Sequence, residues 1–270
     1  MRSRALILMI PVFLLVLFVD QKSVAQDSDG KYKLFEEANV HYEKKEYDQA
    51  ISNYMNLLEG GYSAWGVFLN LGNCWLQKDR PIKAMVFFEQ GLSLNPSSRE
   101  LKHNLAIALA KLNESSGNPS VERPQYIFRS VHLDIWGLVL AVSISLAGLG
   151  WATKAIFGRD SHRVVVALGT PAWPCTLLAL LFAVIFYFAW NEWYTERGII
   201  TADSAAIRFG PIDQSDVAWN SPGGTYVEIL DERTEWYQII DSRNRKGWVR
   251  KDSLSIITPP EKAINYSVLN

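Results

Sequence analysis

Side chains that hold metals or activate nucleophiles are thinly spread through this sequence of 270 residues. His41, His103, His132 and His162 lie far apart, outside the HExxH spacing that sets two imidazoles on one helical face. Cys74 and Cys175 form no CxxC pair and read as packing residues. The pattern implies no metal and no cofactor. The phosphate-cradling GxxxxGK[ST] and the nucleophile elbow GxSxG are missing from the chain. Acidic neighbours such as Glu36 with Glu37, or Asp231 with Glu232, read as solvated faces. With no catalytic residue to name, a non-enzymatic role is expected. Two groups of residues suit binding instead. Asn39 and Asn73 stand 34 residues apart, and each side-chain amide offers a peptide backbone both a donor and an acceptor. Trp219, Trp236, Tyr237 and Trp248 concentrate aromatic surface toward the C-terminus.

The elements that position the asparagines repeat. Residues 31–64 and 65–98 carry one pattern twice, with Ala38-Asn39, Ala50, Tyr54, Leu58 and Tyr62 recurring as Gly72-Asn73, Ala84, Phe88, Leu92 and Pro96. The offset of 34 and these residue types resemble the tetratricopeptide repeat (TPR), a helical hairpin whose small residues let paired helices approach. A third copy begins in register at Ala106, and Leu101, Leu105, Ala108, Leu109 and Leu112 form the apolar face of a capping helix over 98–112. The helical domain is expected over 29–112, with Tyr47, Ala50, Tyr54, Ala84 and Phe88 in its core. By resemblance to peptide-binding members, the groove positions are Phe35, Asn39 and Tyr42, then Leu69, Asn70, Asn73 and Leu76. The lysine or arginine of the carboxylate-clamping members is replaced by Phe35, Glu100 and Asn104, which argues against recognition of a C-terminal carboxylate. The asparagines either meet a peptide or bond within the repeat.

The chain opens on a charged Met1-Arg2-Ser3-Arg4, an apolar run and Ser23-Val24-Ala25, the order of a signal peptide over 1–25. After a linker over 113–132, two uncharged stretches fit transmembrane helices over 134–154 and 168–191, with Pro171 and Pro174 marking a kink or the entry of the second. Gly148 and Ala152 have small-xxx-small spacing. Lys154, Arg159 and Arg163 outnumber Asp160 around the loop over 155–163, so positive-inside places that loop in the cytoplasm and both flanking domains outside.

From 196 to 258 the periodicity changes to short strands: 198–202, 206–208, 225–230, 236–240 and 247–249. The order Ala206-Ile207-Arg208-Phe209-Gly210-Pro211, Gly224-Thr225-Tyr226-Val227-Glu228-Ile229-Leu230, Trp236-Tyr237, Gly247-Trp248-Val249 and Leu254 resembles the bacterial SH3-like barrel. Glu235 stands where that pattern usually has a second glycine. Such domains often bind cell-wall peptides, so Trp219, Trp236, Tyr237 and Trp248 are either barrel core or an aromatic groove. A flexible tail over 259–270 follows.

The expected fold class is a multidomain membrane protein: an all-α TPR superhelix, a two-helix transmembrane hairpin and a small all-β SH3-like barrel. The net charge of −1 supplies no basic face for nucleic acid. This order of domains resembles the BatE-like, TPR-containing members of the Bacteroides aerotolerance family. Membership implies a scaffold or adaptor in an envelope complex tied to aerotolerance or stress. It also implies von Willebrand factor A-type membrane proteins and a MoxR-type ATPase as partners, besides the lipid bilayer. The implied place is the bacterial inner membrane, with both soluble domains on the periplasmic or extracytoplasmic side. The alternatives are an envelope sensor that binds peptidoglycan or a peptide, and an accessory subunit of a membrane enzyme or transporter.

Overall fold

A computed structural model describes residues 28–116, 121, 123–124, 128, 131, 133–157 and 172–258. The expected signal peptide, residues 158–163 of the loop, residues 168–171 and the tail over 259–270 lie outside the described residues.

Among the described residues five helices come first: α1 (Ser28–Glu43), α2 (Tyr47–Glu59), α3 (Trp65–Gln77), α4 (Pro81–Leu94) and α5 (Arg99–Ser116). Each packs on the next. The turn that reverses α1 into α2 is rebuilt 34 residues later between α3 and α4. Lys45 and Asp79 both take the left-handed backbone, at φ 63° and 60°. The N–H groups of Glu46 and Arg80 then close the same loop onto the carbonyls of His41 and Trp75, each at 2.9 Å. Asp79 has a further partner in Lys111 of α5 at 2.8 Å, which holds its carboxyl below the usual carboxylate range. Ala38, Ala50, Tyr54, Ala84 and Phe88 are fully buried, whereas Tyr47 is half-buried.

The fifth helix starts one residue later than expected, because Ser98 caps it by accepting the Leu101 N–H at 3.2 Å. It also runs on to Ser116, four residues past the expected end. Leu101, Leu105, Ala108 and Leu112 bury against the second hairpin. Ala106 is exposed, although its counterparts Ala38 and Gly72 are buried. Gly72 faces Phe88 on the second helix of its hairpin, and among the described residues no following helix pairs with α5 in that way.

Next come α6 (Leu133–Phe157) and α7 (Ala172–Tyr194), two helices long and apolar enough to cross a membrane. They lie along one another with Ser143, Ala147 and Gly150 of α6 and Ala179 and Ala189 of α7 buried. Gly148 and Ala152 are exposed and do not contribute to this contact. Pro174 sits in the first turn of α7, where its missing N–H has no helical acceptor to lose, so it marks the helix entry. The first hairpin end is held by Trp151, which donates to Thr176 at 2.9 Å. At the other end the Phe128 N–H donates to Glu192 at 3.2 Å.

Seven antiparallel strands follow among the described residues: β1 (Arg197–Ile200), β2 (Ser204–Arg208), β3 (Val217–Pro222), β4 (Tyr226–Glu232), β5 (Trp236–Asp241), β6 (Lys246–Arg250) and β7 (Leu254–Thr258). Their order is β3-β2-β6-β5-β4-β1-β7. Strands β3 and β7 were not among the five expected. Both are edge strands, and β3 carries Asn220 and Pro222, residue types tolerated at an edge and poor at announcing a strand. Ile200, Ala205, Ile207, Val227, Ile239, Val249 and Leu254 fill the inside together with Tyr237. Strand β1 begins just after α7, and the Arg197 guanidinium fastens the two by donating to the Glu192 carbonyl at 2.8 Å and to Glu228 at 3.3 Å.

The barrel also seats on the helices. From Ala84 to Ser93 every residue of α4 is buried, which the preceding and following helices alone do not require. Strand β7 covers the remaining face of α4. Ile199, Tyr226 and Ile257 of the barrel thereby join the helical core. Gly223 and Gly224 turn directly onto α4 and α5: a Cβ at Gly223 would lie 2.6 Å from Ile82, and one at Gly224, at φ +82°, 2.3 Å from Leu112.

Candidate functional site

Helix α1 presents Phe35, Asn39 and Tyr42 at i, i+4, i+7 spacing, and α3 presents Leu69, Asn73 and Leu76 at the same spacing with Asn70 beside them. All seven are half-buried, and the four apolar ones pack against the helical core. The asparagines bond across the stack. Asn70 donates its Nδ2 to Asn39 Oδ1 at 3.1 Å, and Asn104 donates its Nδ2 to Asn73 Oδ1 at 2.7 Å, one bridge repeated 34 residues on. The Tyr54 hydroxyl donates to the same Asn39 oxygen at 2.5 Å and accepts from Asn70 at 3.1 Å. Burial pushes the Tyr54 hydroxyl's pKa up, and the Asn70 bond opposes this in part. The neighbouring Cys74 thiol is pushed by burial up to about 12, which keeps it protonated and unreactive at neutral pH.

Asn39→Ala should therefore destabilise the helical domain by about 1–3 kcal/mol, because the half-buried amide of Asn70 and the buried Tyr54 hydroxyl lose their acceptor. Urea denaturation followed by circular dichroism measures this. A stability within about 0.5 kcal/mol of wild type, the usual range for a neutral surface change, would show that the bridge carries no load.

The face continues on α5 with His103, Ile107 and Ala110, each exposed and each 34 residues after Leu69, Asn73 and Leu76. Applying the repeat once more to the groove positions would have found these residues. Ile107 is 42% exposed, a lone aliphatic side chain at the open end of the asparagine ladder.

In the barrel, Trp236, Tyr237 and Trp248 are buried and Trp219 is half-buried. Each ring carries a cation on its face: Arg250 at 5.8 Å from Trp236, Lys251 at 4.9 Å from Tyr237, Arg233 at 5.7 Å from Trp248 and Arg245 at 4.5 Å from Trp219. The four therefore do not form one open aromatic groove. Tyr237 lies among the inner residues, with Trp219 packed against them. Across the sheet, Trp236 pairs with Arg250 and Gln238 with Trp248, which puts the two tryptophans on the opposite face from Tyr237.

Arg245 is held over Trp219 by Asp241, whose Oδ2 accepts from the guanidinium at 2.7 Å and whose Oδ1 accepts the N–H groups of Arg243 and Arg245 at 2.9 Å. Burial alone would raise the Asp241 pKa, but the Arg245 and Arg243 bonds outweigh it and bring it below the usual carboxylate range. A lowered folded-state pKa means stability that is fully present above the unfolded value of about 3.9 and is lost as pH falls through the folded value. Barrel stability should thus fall below about pH 4 in the wild type. Asp241→Asn should lower it by about 1–2 kcal/mol at neutral pH and flatten this acid limb, as read from melting temperatures between pH 2 and 7. An unaltered acid limb in the variant would refute the assignment.

Beside this turn a polar cleft of about 440 Å³ opens between Val121 and Pro124 of the linker and the barrel residues Asp203, Asn220, Tyr226 and Arg243. Tyr226, in its lining, also reaches the junction of the helical stack and the barrel. There Glu89 of α4 is 1% exposed, yet its carboxylate is satisfied from three directions. Arg123 of the linker donates its Nε at 2.5 Å and its Nη2 at 3.0 Å, and the Tyr226 hydroxyl donates at 3.0 Å. Gln90, next along α4, donates to the Ile256 carbonyl of β7 at 3.1 Å. The junction escaped the sequence reading, although the uninterrupted run Ala84-Met85-Val86-Phe87-Phe88 on one helix is a signal that more than one face must be covered.

No curated protein matches the chain. Residues 201–255 match the model of the Bacterial SH3 domain. Residues 201–255 are therefore a bacterial SH3 domain, set within a seven-stranded sheet that seats on a helical stack and follows a pair of apolar helices.

Proposed function

We propose that the protein is a non-catalytic, membrane-anchored scaffold whose helical domain is a TPR module and holds a partner segment on its inner face. The observation that carries this reading is the asparagine ladder. The bridges Asn39 to Asn70 and Asn73 to Asn104 keep α1, α3 and α5 in one repeated register, and so align Phe35, Leu69 and His103, then Tyr42, Leu76 and Ala110, along one half-buried to exposed face. A face this poor in charge suits an extended segment with apolar side chains.

The two apolar helices are its membrane anchor. Since α5 leads into α6 and α7 leads directly into β1, both soluble domains meet at one end of the hairpin. The charges around the opposite loop favour the cytoplasm for that end and the extracytoplasmic side for the domains. Resemblance to the aerotolerance family supplies the setting, an envelope complex with von Willebrand factor A-type membrane proteins.

Ile107→Glu places a charge on the inner face at a position already exposed. It should reduce co-purification of a von Willebrand factor A-type membrane protein by at least about tenfold, the effect of one hot-spot residue, with an unchanged melting temperature. Undiminished co-purification would remove the inner face from the proposal. A second reading, an envelope sensor that binds peptidoglycan or a peptide, draws on the bacterial SH3 match and the polar cleft beside it. Full-length protein failing to co-sediment with peptidoglycan sacculi would leave only the peptide form of that reading.

A further inference from the structure

Val121, Arg123 and Pro124, between the helical stack and the first apolar helix, are held as residues of a bound peptide would be. Asn113 of α5 reads the backbone with both ends of one side-chain amide, accepting the Val121 N–H on Oδ1 at 2.7 Å and donating Nδ2 to the Val121 carbonyl at 3.2 Å. That pair of bonds fixes an extended backbone without regard to side chain. The Val121 side chain packs against the helical core. Two residues on, Arg123 forks onto the buried Glu89 carboxylate, and Pro124 then lines the cleft beside the barrel. A backbone reader, an aliphatic socket and a buried acidic anchor at i, i and i+2 are the parts of a peptide-recognition site.

The chemistry of the anchor is specific. Glu89 sits within the stretch of α4, Ala84 to Ser93, in which every residue is buried, so a carboxylate there is stable only with a cation and further donors in place. A planar guanidinium supplies two parallel donors, which an ammonium cannot. Tyr226, from the barrel, contributes the third. Recognition therefore depends on both soluble domains at once, and the site exists only where they meet.

We propose that this junction is a binding site for an extended peptide with an aliphatic residue followed two positions later by arginine. In this structure the chain's own Val121, Arg123 and Pro124 fill it, and a partner segment of the same chemistry competes for it. The site is separate from the inner face of the helical stack and does not depend on what that face holds.

The test uses the full-length chain in detergent micelles and a synthetic peptide with the sequence of residues 118–126. Arg123→Ala should lower the melting temperature, and the peptide added in trans should restore it. The same peptide with alanine in place of its arginine should restore nothing, and Arg123→Ala/Glu89→Gln protein should respond to neither. In fluorescence anisotropy the wild-type chain should need at least about tenfold more peptide than Arg123→Ala, because a tethered segment competes at an effective concentration in the millimolar range. Equal responses to the arginine and alanine peptides, or equal binding by wild type and Arg123→Ala, would overturn the proposal. Should Arg123→Ala not fold, Arg123→Lys, which keeps the charge without the fork, takes its place, and the absence of any arginine-dependent response in that folded variant overturns it equally.

Discussion

Glu89→Ala should lower the stability of the soluble region by about 3 kcal/mol and split its thermal unfolding into two transitions, one for the helices and one for the barrel. The carboxylate, on a residue only 1% exposed, accepts three charge-assisted or hydroxyl bonds. Removing one member of a buried pair commonly costs about 3–5 kcal/mol, because the other charge stays behind unpaired. The lower end applies here, since the Arg123 side chain keeps 32% of its exposure and can turn toward solvent. The buried Tyr226 hydroxyl loses its bond to the carboxylate as well. Glu89→Gln keeps the shape and one acceptor, and should fall between alanine and wild type. Differential scanning calorimetry of the full-length chain separates these outcomes. A single transition at the wild-type temperature in Glu89→Ala would mean that the apolar contacts of β7 with α4 hold the domains without help from the carboxylate.

Gly72→Ala should be the most damaging single methyl in the helical domain. A Cβ there would stand 2.3 Å, 2.5 Å and 2.8 Å from three ring atoms of Phe88. The ring is fully buried and has no room to swing aside. Either α3 and α4 separate or the ring leaves its rotamer, at about 1–3 kcal/mol for overpacking of this kind. Phe88→Leu removes the clashing edge and leaves a cavity instead. The double variant should accordingly be more stable than the sum of the two single losses predicts, a coupling of at least about 0.5 kcal/mol in a double-mutant cycle. Additive losses, measured by urea denaturation, would show that the clash is relieved by helix movement rather than carried by Phe88.

These two sites mark where sequence reading succeeds and where it stops. Gly72 was legible because the 34-residue offset pairs it with Ala38, and small residues at that step have one purpose, close approach of paired helices. Glu89 was not legible. A glutamate in a helix reads as solvated by default, and only the arrival of β7, Tyr226 and the linker buries it. The asparagines fall between. Their spacing singled out Asn39 and Asn73, but the bonds from Tyr54, Asn70 and Asn104 are made by residues 15 or 31 positions away in sequence.

The sequence by itself determined the periodic parts of this protein. A period of 34 specified two helical hairpins and a capping helix, two uncharged runs specified two long apolar helices, and alternating residues specified most of the strands. Each of these signals is local or nearly so, because it records which face of one element is apolar. Only the tertiary structure decided how the elements meet. It put β3 and β7 at the edges of the sheet, buried α4 from Ala84 to Ser93, covered the aromatic rings with arginine and lysine, and drew the linker's Arg123 onto Glu89. The physical reason is that a buried polar contact depends on the fit of two distant surfaces. The hydrophobic pattern of either surface alone says that it is covered, and does not say by what.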